Sequence, residues 1–321
     1  METNKAQQQE FDLARTLLIL NNYDWLRQEA AAIGVDIIPI KGIDLLQTLY
    51  AERLDRPVRD IDLVCRTEDD CRKLAKHLCR EEYRLEFPFS LRHEALSVKR
   101  KVSLLSCSTT KVNVDLHTAF VTKKFFSQTI GTFNEDALQR CQEGHMESID
   151  RWLFLAQHAA FHTFGDAKWT RDLRLLYDGF TPEQLKALGE QVDRYGFRRV
   201  MMGTLLHIYK EEPERQQALL DKLSPTWGER RFLRFIQRFD HPIANKTFAQ
   251  LINSYWEFIF IARRSDRFGM WLQLMFPSRG MLTNIYRIRK PAAVLLYYPV
   301  NILVSGLTSL VFWTTYGMKS W

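Results

Sequence analysis

Apolar residues recur at helical spacing through residues 8–33, where Leu17, Leu18, Leu20, Trp25 and Leu26 form the series. Ala30, Ala31 and Ala32 add helix propensity, and Gly34 supplies the stop. Residues 35–40, VDIIPI, form a short apolar run of strand length. Lys41-Gly42 follows, and then IDLLQTLYAE predicts a helix with Leu45, Leu46, Leu49 and Tyr50 inward. Residues 60–65, DIDLVC, alternate polar and apolar, the period of a strand with one wet face. Residues 68–82 open with acid and continue with base, the order that a helix dipole favours. LEFPF, HEALSVKR, VSLLSCS and KVNVDLHTAF then read as consecutive strands or hairpins.

The pattern changes near Ser148. Residues 149–164 and TRDLRLLYDGF carry helical periodicity, and TPEQLKALGEQVDRYG opens with Thr181 as cap and Pro182 at the first helical position. Helices continue to about residue 275. The fold class expected is α+β, a small mixed sheet followed by a mainly helical region. The expected organisation is a catalytic domain with its N-terminal helix over 1–145, a helical substrate or acceptor domain over 146–290, and an apolar segment over 291–321.

Composition sharpens this picture in three places. The chain has 321 residues, 46% hydrophobic and 26% charged, which is globular rather than disordered. The five cysteines lack metal-ligand spacing; Cys65 and Cys107 lie in apolar runs and read as reduced core thiols. The net charge of +7 is concentrated: Trp227 to Pro291 holds twelve Lys or Arg against four Asp or Glu. One basic region facing an anionic partner is expected. No charged side chain occurs from Pro291 to Gly317, although Pro299, Asn301, Ser305 and Gly306 interrupt the apolar run. A buried hairpin and a membrane-contacting segment both fit that run. The N-terminus shows no signal-peptide core, and a cytoplasmic protein able to sit on the inner face of a membrane is expected.

The chemistry-bearing residues centre on Asp60 and Asp62. Two residues apart on a strand, their carboxylates share one face, and the repulsion between them calls for a cation. Mg²⁺, or Mn²⁺ in its place, suits hard oxygen ligands and keeps water for phosphates. Asp115 in VNVDLH lies on another alternating strand. If the two strands pair, Asp60, Asp62 and Asp115 form a two-metal clamp for phosphoryl chemistry. Lys41 and Gly42, at a strand–helix junction, suit a phosphate: glycine for close approach, lysine for charge. Arg56 and Arg59 flank the acidic pair and suit either a triphosphate or charge compensation. His117 shares the face of Asp115 and could orient that carboxylate or touch an acceptor.

A second cluster lies in the helical half. His158 and His162 are one turn apart, but no Glu intervenes as a zinc hydrolase would need. Lys168, Trp169, Asp172 and Arg174 fit an acceptor-pocket wall or a satisfied polar seam equally well.

The string IIPIKGIDLLQTLYAERLDRPVRDIDLVC resembles the opening of the catalytic domain of nucleotidyltransferases with the DNA polymerase beta-like fold. More narrowly, it resembles their uncharacterised bacterial branch, as do VNVDLHTAF, HTFGDAKWTRDLRLL and MFPSRGMLTNIYRI. The resemblance implies Mg²⁺-dependent transfer of a nucleoside monophosphate from an NTP, ATP among them, to a hydroxyl-bearing acceptor. Asp60 and Asp62 take the DxD role, Asp115 the late-strand carboxylate and Gly42 the phosphate-side glycine. The chain departs from the broad superfamily in having Ile43 after Gly42, where serine or glycine is usual, and seventeen residues between Gly42 and Asp60. Small molecules, glycan precursors and proteins are the acceptor classes that fit. A non-catalytic interaction module is the main alternative, and a nucleic-acid enzyme a lesser one. Phe232, Phe235 and Phe239 interleave with arginines but keep to one helix stripe, which reads as core.

Overall fold

The computed structural model describes residues 2–52, 55–86, 101–121, 128–141, 144–162, 164–237, 260, 272, 275–277, 282 and 295–315. The expected strand HEALSVKR, the end of LEFPF, most of the basic stretch beyond Gln237, and Arg287, Arg289, Lys290 and Tyr316 lie outside these residues. The chain divides into two compact units: Met1–Lys124 with Asn134–Glu147, and Phe125–Phe133 with Ser148–Trp321.

The first unit is an α/β layer. Helix α1 spans Glu2–Ala32. Thr16, Ile19, Tyr23, Leu26 and Ala30, at spacings of three and four, are buried together with Asn22, whereas Leu17 from the expected series is exposed. Gly34 takes φ +65°, and the Val35 and Gly34 amides donate back to the Ala30 and Ala31 carbonyls, closing the helix as a glycine cap does. Strand β1 (Ile37–Ile40) and the short helix α2 (Gly42–Thr48) follow. Strand β2 (Ile61–Cys65) leads to α3 (Glu68–Leu78), which is capped by Thr67 and carries Glu68, Asp69 and Asp70 in its first turn. Strands β3 (Tyr83–Leu85), β4 (Lys101–Ser106) and β5 (Val114–His117) complete the unit's sheet.

The sheet order is β1-β2-β5-β4-β3. Among the described residues only the β2–β5 pair is parallel; the other three pairs are antiparallel. The sheet is therefore mixed, and the fold is an α/β core followed by a long helical region. Ile61, Leu63, Val102, Leu104, Val114 and Leu116 are fully buried. The wet face expected for β2 is absent, since all five of its residues are buried, Asp62 among them. Cys65 is buried as expected, but Cys107 is exposed because β4 ends at Ser106 and a turn follows.

Helix α4 (Gln128–Arg140) is shared by the two divisions of the chain. The second unit holds α5 (Ser148–Phe161), α6 (Ala167–Asp178), α7 (Pro182–Arg194), α8 (Arg198–Ile208), α9 (Pro213–Lys222) and α10 (Trp227–Gln237). Thr181 and Gln184 form a reciprocal capping box at α7. The core of this unit is closed by large side chains; Trp152 is fully buried and its indole N–H donates to the Leu173 carbonyl at 3.1 Å. Helix α11 (Tyr297–Thr315) is continuous, so no hairpin forms across these residues. Pro299 lies in its first turn, where a missing N–H costs no helical hydrogen bond. No helix among the described residues is long and apolar enough to cross a membrane.

Candidate metal centre

The site is built by strand register. Asp62 pairs with Asp115 across the parallel β2–β5 ladder, and Val64 pairs with His117. The two-residue period therefore places Asp62, Asp115 and His117 on one face, with Asp60 just ahead of β2 on the same side. Ile61 and Leu63 turn to the opposite face and are fully buried, which anchors β2. On β4, Ser103 pairs with Asp115 and Lys101 with His117, so Lys101 joins this face from the other side.

Each central carboxylate has its own lysine. Lys41 Nζ lies 2.6 Å from Asp62 Oδ1, and Lys101 Nζ lies 2.5 Å from Asp115 Oδ2. Lys41 caps α2 with φ +54°, a conformation uncommon outside glycine, asparagine and aspartate. Lys101 was missed by sequence reading because it falls between two expected strands; its place in the alternation of KVSLLS is the signal that marks it. His117 does not orient Asp115 as its spacing suggested. Its Nε2 meets Asp62 Oδ1 at 2.9 Å, diagonally across the parallel pair.

Electrostatics follow from this crowding. Burial works to raise the Asp62 carboxyl, but Lys41 and His117 outweigh it and hold the group far below the usual carboxylate range. Asp60 is exposed as a residue, yet partial desolvation, followed by the charges of Asp62 and Asp115, pushes its carboxyl up. Burial works to lower Lys101, while Asp115, Asp62 and Asp60 prevail and hold it above the ordinary lysine value. His117 is lowered, chiefly by burial, so its neutral form is favoured. A neutral imidazole that bonds a carboxylate through Nε2 carries its proton there. Nδ1 is then a buried lone pair, and it has no hydrogen-bond partner.

One oxygen each from Asp62 and Asp115 and one nitrogen from His117 lie within 4.8 Å of one another. This is the metal-ligand cluster found among the described residues, and Asp60 is outside it. Two carboxylates with an imidazole nitrogen in reach fit a divalent cation.

The other expected contacts sort differently. Gly42 opens α2, and a Cβ there would lie 2.6 Å from Val58 Cγ1. Packing against Val58 is thus a sufficient reason for glycine. Arg56 is buried, whereas Arg59 is exposed and accepts a hydrogen bond at its carbonyl from the Arg15 guanidinium, 3.2 Å away. In the second unit the rings of His158, His162 and Trp169 pack against one another, tilted or edge-on, with centroids 4.6, 5.0 and 5.3 Å apart. Arg174 pairs with Glu212 and Asp178, Arg215 joins the same acids, and Asp172 is buried. Arg174 therefore belongs to a polar seam between α6 and the segment opening α9. Lys168 is tied to Asp166 at 3.2 Å.

A family model described as an uncharacterised nucleotidyltransferase matches residues 5–210. No curated protein matches the chain.

Proposed function

The chain belongs to the uncharacterised nucleotidyltransferase family, and from that premise we propose that it moves a nucleoside monophosphate from an NTP to a hydroxyl-bearing acceptor. The bond between the acceptor oxygen and the α-phosphorus forms as the bond from that phosphorus to the pyrophosphate oxygen breaks. Pyrophosphate leaves, and the hydroxyl proton passes to Asp115. A bound divalent cation, Mg²⁺ or Mn²⁺, would supply Lewis-acid stabilisation of the phosphoryl oxygens.

The observation that carries this reading is the in-register pair Asp62 and Asp115. Asp62, Asp115 and His117 would hold one cation, and Asp60 would complete the carboxylate set when a second arrives. Lys41 and Lys101 neutralise the carboxylates while no cation is held, and they would turn to the phosphates when one is. Exposed Arg59 suits the triphosphate and Gly42 permits its approach, while Arg56, three residues before Arg59, is buried. The acceptor class proposed is a small molecule, a glycan precursor or a protein.

A second reading has one observation in its favour. Both central carboxylates already have a lysine of the same chain. A non-catalytic member of the family could keep its fold this way as an interaction module. Calorimetry with a non-hydrolysable NTP separates the two. Catalysis predicts binding heat that needs divalent cation and disappears in Asp62→Asn, together with label transfer from an α-labelled NTP that falls by about 10²–10³-fold in Asp115→Asn. Equal heats with and without cation, in wild type and variant alike, would reject the catalytic reading.

A further inference from the structure

The first half of helix α11, residues 297–307, has its polarity reversed. Asn301 and Ser305, one turn apart, are buried, and the Asn301 side-chain amide reaches the Met275 carbonyl at 3.5 Å. Leu296, Val300, Leu303 and Leu307, at spacings of four, three and four, form a single stripe that is 74%, 44%, 63% and 54% exposed. Leu295 and Ile302 widen it. A water-soluble surface helix normally presents the opposite arrangement. The stripe therefore awaits an apolar environment.

Charge indicates which one. Residues 267–321 contain Arg267, Arg279, Arg287, Arg289, Lys290 and Lys319 and not one Asp or Glu. An apolar stripe in a purely basic stretch complements an anionic lipid surface, where acyl chains take the leucines and headgroups attract the bases. Tyr297 and Tyr298, half-buried at the helix start, are residue types that settle at such an interface. No described helix is long and apolar enough to cross the bilayer, so this would be a helix lying in the interface.

We infer that the protein docks on anionic membranes through the stripe that runs from Leu296, just ahead of α11, to Leu307 within it. This goes beyond nucleotidyl transfer and does not depend on it. The test is flotation of the full chain with phosphatidylcholine vesicles, with and without phosphatidylglycerol, beside the double variants L303S/L307S and L303M/L307M. Both positions are exposed, and circular dichroism checks that each variant keeps its fold.

The expected result is co-flotation with the phosphatidylglycerol vesicles only, weakened by salt. The serine variant loses at least about tenfold in partition, and the methionine variant keeps it. A wild-type chain that ignores both vesicle types overturns the inference. So does flotation that is the same in the serine variant. A dimer in light scattering that the serine variant dissociates, without vesicle binding, would assign the stripe to a second copy instead.

Discussion

Asp62 and Asp115 face one another in register across the parallel β2–β5 pair, and each is held by a different lysine. Lys41 arrives from the end of β1 and Lys101 from β4, so the two cations flank the carboxylates from opposite sides. The two lysines offset these two carboxylates, and Asp62, Asp115 and His117 form a candidate cluster for a divalent cation.

The first prediction is linkage between cation and fold. Mn²⁺ or Mg²⁺ at a hundred times its dissociation constant should stabilise the wild-type protein by about 2.7 kcal/mol. The double variant D62N/D115N should show no such gain. Thermal melts across a cation titration measure both, and an identical shift in the two proteins would place the binding elsewhere.

Lys101 competes for the oxygen that a cation would use. Lys101→Met should therefore lower the cation dissociation constant by roughly three- to tenfold. The same change should weaken NTP binding, since a phosphate-side charge is lost. Calorimetry of metal alone and then of NTP reads the two effects separately. Weaker metal binding in Lys101→Met would mean that the lysine positions Asp115 rather than competing for it.

Gly42→Ala should destabilise the fold by about 1–3 kcal/mol, because its Cβ would press on the Val58 side chain 2.6 Å away. Val58→Ala should recover part of that loss when combined with it. Urea midpoints of the two single variants and the double provide the cycle. Simple additivity would disconnect Gly42 from Val58.

The pH dependence of stability follows from His117. Burial lowers its imidazole; the hydrogen bond and charge of Asp62 oppose this, and Lys41 and Lys101 add to the lowering. A histidine depressed in the fold takes its proton first in the unfolded chain. Its contribution is thus present above the unfolded value of about 6.5 and is lost as pH falls from there toward the folded value. Urea unfolding between about pH 7.5 and 5.5 should show wild type weakening more than His117→Asn. Parallel slopes would mean that the native state binds the proton as readily as the unfolded one.

Much of this was legible along the chain because it is local. The alternation in DIDLVC and VNVDLH places Asp60 with Asp62, and Asp115 with His117, whichever neighbours the strands acquire. The stop at Gly34 and the Thr181 cap depend on a few adjacent residues and were equally readable. The uncharged stretch from 291 to 317 was visible too, but not that α11 would bury Asn301 and Ser305 and leave Leu303 and Leu307 outside.

What only the tertiary structure decided is everything set by partners distant in sequence. Asp62 meets Asp115 because β2 and β5 run parallel in one register, and Lys101 reaches Asp115 because β4 lies antiparallel beside them. His117 crosses to Asp62 for the same reason. Gly42 is constrained by Val58, sixteen positions away, in a loop without periodicity. Side-chain period is a property of each strand, whereas order and register are settled by how several strands bury their apolar faces together.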